Sequence, residues 1–189
     1  MFTNHDINSA DPLVKPVFST GDKLRRLWWT ICWTILCRWT PNNLHRWRIF
    51  ILRRFGASIG KQNFIYPTCK IWAPWLLTTA DVVTIGPGVE VYNPGGISLG
   101  HHAILSQDAF LCGATHDYNN FNFGYIKKEI IVEPYVWICA RAVVLPGVRC
   151  YEGAVLGAAA VASKNLDSWT VYAGNPAIMI KKRFNSYIS

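Results

Sequence analysis

The residues able to do chemistry at neutral pH are few and sit late in the chain. His101, His102 and His116 fall among regularly spaced aliphatic residues, and His116 stands at the root of a segment rich in aromatics and amides, Asp117-Tyr118-Asn119-Asn120-Phe121-Asn122-Phe123. Imidazole is the side chain whose ordinary pKa lies nearest neutrality, so a positioned histidine can take a proton from a weak nucleophile such as a hydroxyl. Three histidines converging between subunits could instead hold zinc in a hydrase. No histidine follows His116, so the close-spaced pair such a site uses is missing, and adjacent His101 and His102 are expected on different faces of an extended strand. The six cysteines, Cys32, Cys37, Cys69, Cys112, Cys139 and Cys150, form no C-x-x-C pair and no compact framework. They read as small core residues in a reducing compartment, and no metal is expected.

Those residues need a scaffold, and a period of six supplies one. Aliphatic anchors recur at Ile59, Ile65, Ile71, then Leu99, Leu105, Leu111, then Val132, Ile138, Val144, Cys150, Leu156 and Ala162. Each is commonly followed by a small residue, and four residues on comes another small or aliphatic one, such as Ala103, Ala109, Ala142 and Ala160. A period of six cannot keep one face inward on a helix of 3.6 residues per turn. It fits short strands joined at corners, three to a coil of about 18 residues, with coils stacked so that the anchors form an inner ladder. A β-sandwich of short strands is the alternative, and six anchors in strict register from Val132 to Ala162 speak against it. The register is expected to break over residues 72–84 and again over 117–131, the second break projecting as a loop of the kind that carries function.

The chain of 189 residues fits one domain, and its 51% hydrophobic content is raised by residues 24–55. The apolar run from Leu27 to Cys37 is too short to span a membrane, which takes about 20 residues. It starts late and lacks a small-x-small cleavage site, which argues against a signal peptide and for a cytoplasmic protein. Trp28, Trp29, Trp33, Trp39 and Trp47 are interleaved with Arg25, Arg26, Arg38, Arg46 and Arg48. A helix here could cap the open end of the solenoid or lie on the inner membrane surface. The net charge of +8 calls for an anionic partner: nucleic acid, a membrane surface or a phosphate-bearing cofactor. No nucleic-acid-binding motif supports the first.

Five motifs in order bring a resemblance. Ile71-Trp72-Ala73-Pro74-Trp75, Leu105-Ser106-Gln107 with Leu111-Cys112, Thr115-His116-Asp117-Tyr118, Val136-Trp137-Ile138-x-Ala140-Arg141-Ala142 and Ala173-Gly174-Asn175-Pro176-Ala177 resemble the hexapeptide-repeat acyltransferases. Within that group the chain is most similar to the acetyltransferases of colanic-acid-type exopolysaccharide synthesis. The resemblance implies an all-β fold, a left-handed parallel β-helix, in a homotrimer with active sites between subunits. Expected parts are a flexible N-terminus (1–20), an aromatic and basic helical segment (21–56), the β-helix (57–173) with its projecting loop (117–131), and a C-terminal cofactor-end segment (174–189) forming a short helix or tail.

The same resemblance implies acetyl-CoA as acyl donor, a saccharide hydroxyl as acceptor, and His116 as general base in a direct transfer. A backbone N–H near Cys139-Ala140 is the implied oxyanion donor. Matching positions suggest Ala140 and Ala158 along the pantetheine arm and Ser163 and Lys164 near the pyrophosphate. Lys181 and Arg183, in a flexible tail, would meet the nucleotide phosphates or simply be solvated. Trp137 would pack against the acyl end or acceptor, or serve only as a large corner residue. Tyr92, Asn93 and Asp117 are the acceptor candidates, and Asp117 is also the adjacent candidate for orienting His116. Transfer to an amine, a metal hydrase related to the gamma-type carbonic anhydrases, and a non-catalytic assembly solenoid are the competing functions.

Overall fold

Every six-residue anchor named above is buried in the computed structural model, which describes residues 17–184. The flexible segment expected over 1–20 lies mostly outside the described residues. From Ser58 onward the chain winds through three parallel sheets, so that each anchor sits on its counterpart one coil away: Ile65 on Ile85, Leu105 and Ile138, and Val91 on Leu111. The first face holds strands Ser58–Ile59, Leu77–Thr79, Ile97–Leu99, Ile130–Val132 and Arg149–Cys150. The second runs from Phe64–Ile65 up to Thr170–Ala173, and the third from Lys70–Ile71 up to Val161–Ala162. The expected solenoid is the observed architecture.

Its corners explain the small residues. Three residues after most anchors the backbone enters the left-handed region, with φ between 50° and 60° at Gln62, Val82, His102, Asp108, Tyr135, Arg141, Ala159 and Trp169. That turn reverses the chain tightly enough that the next coil passes directly over the residue after the anchor. A Cβ added to Gly100 would stand 2.5 Å from the Pro134 nitrogen, closer than any real contact.

The open end is closed by two helices, α1 (Thr20–Leu36) and α2 (His45–Arg54). Ser19 caps α1 by accepting from the Asp22 N–H at 3.1 Å. The first coil would otherwise leave its backbone carbonyls exposed at an unpaired edge. Side chains from the helices donate to each face in turn: Arg53 to the Ile59 carbonyl (2.7 Å), Arg48 to that of Ile65 (2.6 Å), and Trp29 and Trp33 to those of Ile71 (2.6 Å) and Cys69 (3.2 Å). Arg48 is fully buried with, among the described residues, no carboxylate paired to it; its guanidinium also donates to Thr40 Oγ1 (2.6 Å) and the carbonyls of Pro41 (2.9 Å) and Asn42 (2.5 Å). The aromatic and basic N-terminus is thus a cap.

The structure corrects three expectations. The register breaks within 72–84 as expected but more briefly; Ile71 to Thr79 is eight residues where the regular step from face to face takes six, a two-residue insertion filled by the short helix Pro74–Leu76, and the spacing has resumed at Thr79. A second such insertion, at 93–96, separates Val91 from Leu99. Finally, the described part of the C-terminal segment, up to 184, is not a helix or tail: Ile178–Lys182 folds back as an antiparallel strand on Thr170–Ala173.

Candidate active site

All three irregularities fall at the same corner, between the third and first faces. They are residues 72–76, 93–96 and 113–129, and the last is not a loop but a β-hairpin pairing Ala114–His116 with Tyr125–Lys127. Asn93 stitches the first two together: fully buried, it accepts from the Ala73 N–H (3.0 Å) and donates to the Ala73 carbonyl (2.8 Å). That engagement corrects its placement as a sugar contact, because neither end of its amide faces the surface. The hairpin is joined on in turn where the Gly113 N–H donates to the Tyr92 carbonyl at 2.7 Å.

On this stack stands His116. Its Nδ1 lies 2.9 Å from the Phe123 carbonyl oxygen, which can only accept, so Nδ1 carries a proton and the neutral ring is the tautomer whose Nε2 keeps its lone pair. The Phe123 ring lies flat against the imidazole (4.5 Å between centroids, 14° between planes) and Tyr125 meets it edge-on at 5.4 Å. Asp117 does not orient the histidine; its carboxylate accepts from the Asn119 N–H at 3.3 Å and shapes the hairpin turn. Sequence reasoning missed Phe123 as the orienting group because its partner atom is a backbone carbonyl, which every residue type has.

Aromatic side chains lead away from His116 toward α1. The Tyr125 hydroxyl pairs with that of Tyr92 at 2.7 Å, and burial, then this hydrogen bond, hold the Tyr125 phenol well above its ordinary range. Trp72 meets Tyr92 edge-on at 5.4 Å, and Phe18 lies 5.2 Å from Trp72 and 5.4 Å from Tyr125. Arg26 of α1 stands over both Phe18 and Trp72, 4.4 Å from each centroid. A cleft of about 500 Å³ between α1 and the third face has Arg26, Trp72, Glu90 and Tyr92 among its lining residues. Tyr92 is therefore beside the histidine's cluster, whereas Asn93 is inside the wall.

Of the remaining expected residues, Ala140 and Ala158 lie at the corner between the second and third faces, Trp137 and Lys181 on the second face, and Ser163 and Lys164 at the corner between the third and first faces, the edge that also carries His116. Among the described residues nothing accepts from the backbone N–H groups of Ala140 and Ala158, one coil apart; the Cys139 N–H is committed to Leu156 at 2.9 Å. Ser163 and Lys164 are exposed at the end of the coil that carries Ala158, and Lys181 is exposed on the return strand. Trp137, half exposed, donates to Ser106 Oγ at 2.8 Å and shares a groove of about 310 Å³ with His102, Tyr135, Trp169 and Arg183. Arg183 is not in a free tail: its guanidinium donates to the carbonyls of Tyr135 (2.9 Å) and Gly153 (3.0 Å), tying two coils together.

Two other groups are placed differently from expectation or from reactivity. His101 and His102 do not diverge, because His102 occupies the left-handed corner position; their Nδ1 atoms are 3.1 Å apart. Among the described residues no group of three metal-ligating side chains forms. Burial pushes the Cys139 thiol up and those of Cys69 and Cys150 to about 12, which keeps them protonated and poor nucleophiles.

No protein-family model matches the sequence. Over 167 residues, however, it is 38% identical to Escherichia coli K12 WcaF, named as a candidate acetyltransferase of colanic acid biosynthesis, across 88% of this chain and 91% of that protein. The chain belongs to the hexapeptide-repeat acetyltransferases. A galactoside O-acetyltransferase of Lactococcus lactis is 30% identical over 140 residues, 72% of this chain and 60% of that one. Among solved structures, a maltose O-acetyltransferase from Clostridium difficile 630 superimposes with a TM-score of 0.79 at 19% identity, covering 88% of this chain and 90% of its own. The Vibrio cholerae acetyltransferase VCA0836, solved with acetyl coenzyme A, gives 0.77 at 19% identity, covering 88% and 91%. These likenesses carry the fold, the left-handed parallel β-helix of this family.

Proposed function

We propose that this acyltransferase moves an acetyl group from acetyl-CoA to a saccharide hydroxyl during exopolysaccharide assembly, with His116 as general base and the active site shared between subunits of a homotrimer. The observation that carries the reading is the hydrogen bond from His116 Nδ1 to the Phe123 carbonyl, since in the neutral ring it selects the tautomer whose Nε2 can act as a base. The relatives named for colanic acid and galactoside acetylation support a saccharide acceptor.

In this mechanism Nε2 takes the proton of the acceptor hydroxyl as its oxygen attacks the thioester carbonyl. The charge that develops on the carbonyl oxygen is met by a preorganised backbone donor, for which the unpaired N–H of Ala140 is suited. The imidazolium then returns its proton to the departing thiolate, and no covalent acyl-enzyme forms. Single-chain geometry leaves the His116 corner and the Ala140 corner on different edges of the prism. A neighbouring subunit that brings its Ala140 edge against this His116 edge completes the site. Ala140 and Ala158 hold the pantetheine arm, Trp137 flanks the acyl end, and Ser163, Lys164 and Lys181 approach the phosphates; Arg183 supports that groove through its backbone contacts. Tyr92 and the hairpin around Asp117 face the acceptor.

Release of free CoA, followed with a thiol reagent against a panel of sugars, nucleotide sugars, lipid-linked oligosaccharides and amino sugars, tests donor and acceptor together. The expected result is CoA release with a hydroxyl acceptor, abolished in His116→Ala while the oligomer keeps its size. Release only with amino sugars would replace the O-transfer reading by N-transfer, and full activity in His116→Ala would remove the base.

A further inference from the structure

We propose that the outer face of α1 and α2 docks the protein on an anionic lipid surface. This goes beyond acetyl transfer and does not depend on it.

Helix α1 has two apolar faces. At 100° per residue, Leu24, Leu27, Trp28, Ile31 and Ile35 fall within an arc of about 100° opposite Trp29 and Trp33. The inner pair is 2% and 6% exposed; the outer five range from 41% to 69%. A helix that only capped the solenoid would turn a polar face to water. From its last residue, Leu36, the surface continues through Trp39, Trp47 and Phe50, all exposed; Trp47 stacks on Phe50 at 5.8 Å and donates to the Leu36 carbonyl at 2.8 Å, which holds the two helices' patches side by side. Contiguous apolar surface of this kind marks an interaction site.

Charge says what covers it. Residues 17–56 contain eight of the chain's 19 Lys and Arg against one of its 11 Asp and Glu, Asp22, so seven of the eight net positive charges belong to the cap. Lys23, Arg25, Arg38, Arg46 and Arg54 are exposed along it. A second copy of the chain meeting this face through its own would set two strongly cationic caps against each other. Anionic headgroups complement it, and tryptophans with arginines are the side chains suited to the layer between headgroups and acyl chains. Among the described residues no helix is long and apolar enough to cross a membrane, so α1 lies along the surface. Arg26, on the inner side of the same helix, stands over Trp72, at the far end of the aromatic cluster that leads to His116.

The full-length protein is sedimented with vesicles of phosphatidylglycerol and phosphatidylcholine, and with phosphatidylcholine alone. Binding is expected only to the former, and to weaken with salt. Removing charge in Arg38→Gln/Arg46→Gln/Arg54→Gln lowers partitioning roughly fivefold per residue, about a hundredfold in all. Trp28→Ser/Ile35→Ser also lowers it, with melting temperature and oligomer size unchanged. Absent binding, or equal binding to both vesicle types, overturns the proposal. So does a Ser variant that changes oligomer size and leaves vesicle binding intact, since the face would then join copies of the chain. Should the Ser variant fold poorly, the Gln variant decides alone.

Discussion

Replacing Phe123 by Ala separates holding the base from being the base. The ring packs flat on the His116 imidazole at 4.5 Å, while the acceptor of the Nδ1 proton is the same residue's backbone carbonyl, which the substitution keeps. An aromatic pair of this geometry is worth about 0.5–1.5 kcal/mol beyond its buried area. If that energy serves to keep Nε2 aimed at the acceptor, its loss slows turnover by about two- to tenfold, tenfold being about 1.4 kcal/mol. His116→Ala removes the proton acceptor itself and is expected to cost about 10²–10⁴-fold. Steady-state CoA release gives both numbers. For Phe123→Ala, kcat falls while KM for acetyl-CoA stays constant, because Phe123 is on the hairpin and not on the corner assigned to the donor. Phe123→Tyr keeps the stacked ring and restores the rate. Two outcomes refute the reasoning: Phe123→Ala as inactive as His116→Ala with the hairpin folded, or a loss that appears wholly in KM for acetyl-CoA.

Three further predictions concern stability. Arg48→Met keeps the aliphatic stem but strands the carbonyls of Ile65, Pro41 and Asn42, and should lower urea-unfolding stability by about 3 kcal/mol, with Arg48→Lys between it and the parent. Val82 is a β-branched residue held at φ 60°, so Val82→Asn should raise stability by about 1 kcal/mol, seen as a higher melting temperature. Burial holds the Cys69 and Cys150 thiols protonated up to about 12, whereas in the unfolded chain they ionise near 9; the unfolded state alone releases protons between those values. Stability is therefore full below about pH 9 and falls as pH climbs toward 12, a slope that Cys69→Ala or Cys150→Ala should flatten in urea midpoints.

What could be read from the sequence was whatever repeats. The anchors from Val132 to Ala162 announce the solenoid because each must face inward at the same point of every coil. The two-residue insertions at 72–76 and 93–96 were harder: the first looked like a thirteen-residue break, and the second went unnoticed, because an insertion at a corner shifts the phase without adding a recognisable pattern. Cap and membrane helix look alike in sequence because Trp and Arg serve both, and only the hydrogen bonds from Trp29, Trp33, Arg48 and Arg53 to edge carbonyls show which residues do the capping and which are left on the outer face. Asn93 and Arg183 were polar residues in plausible places whose partners are backbone atoms of distant coils, and no one-dimensional pattern carries that information.

The distribution of regular and irregular coils has a chemical logic. From Ile131 to Arg149, Val143 to Val161 and Trp137 to Val155 the pairing advances by 18 residues per coil, so successive corner N–H groups such as those of Ala140 and Ala158 come at a fixed separation. A long, extended acyl donor is best met by such a ruler. An acceptor needs the opposite, a surface particular to one substrate, and on the proposed reading it is the single corner lengthened three times: Trp72 and Trp75 from the first insertion, Pro94 from the second, and His116, Phe123 and Tyr125 from the third. Because Asn93 and Gly113 bind these insertions to one another, changing one for a new acceptor disturbs its neighbours, while the opposite corner is untouched. Substitutions within 72–76 or 93–96 should therefore alter acceptor preference and leave KM for acetyl-CoA unchanged, a split that kinetics with two acceptors would measure; a parallel change in both constants would show that the two corners are not independent.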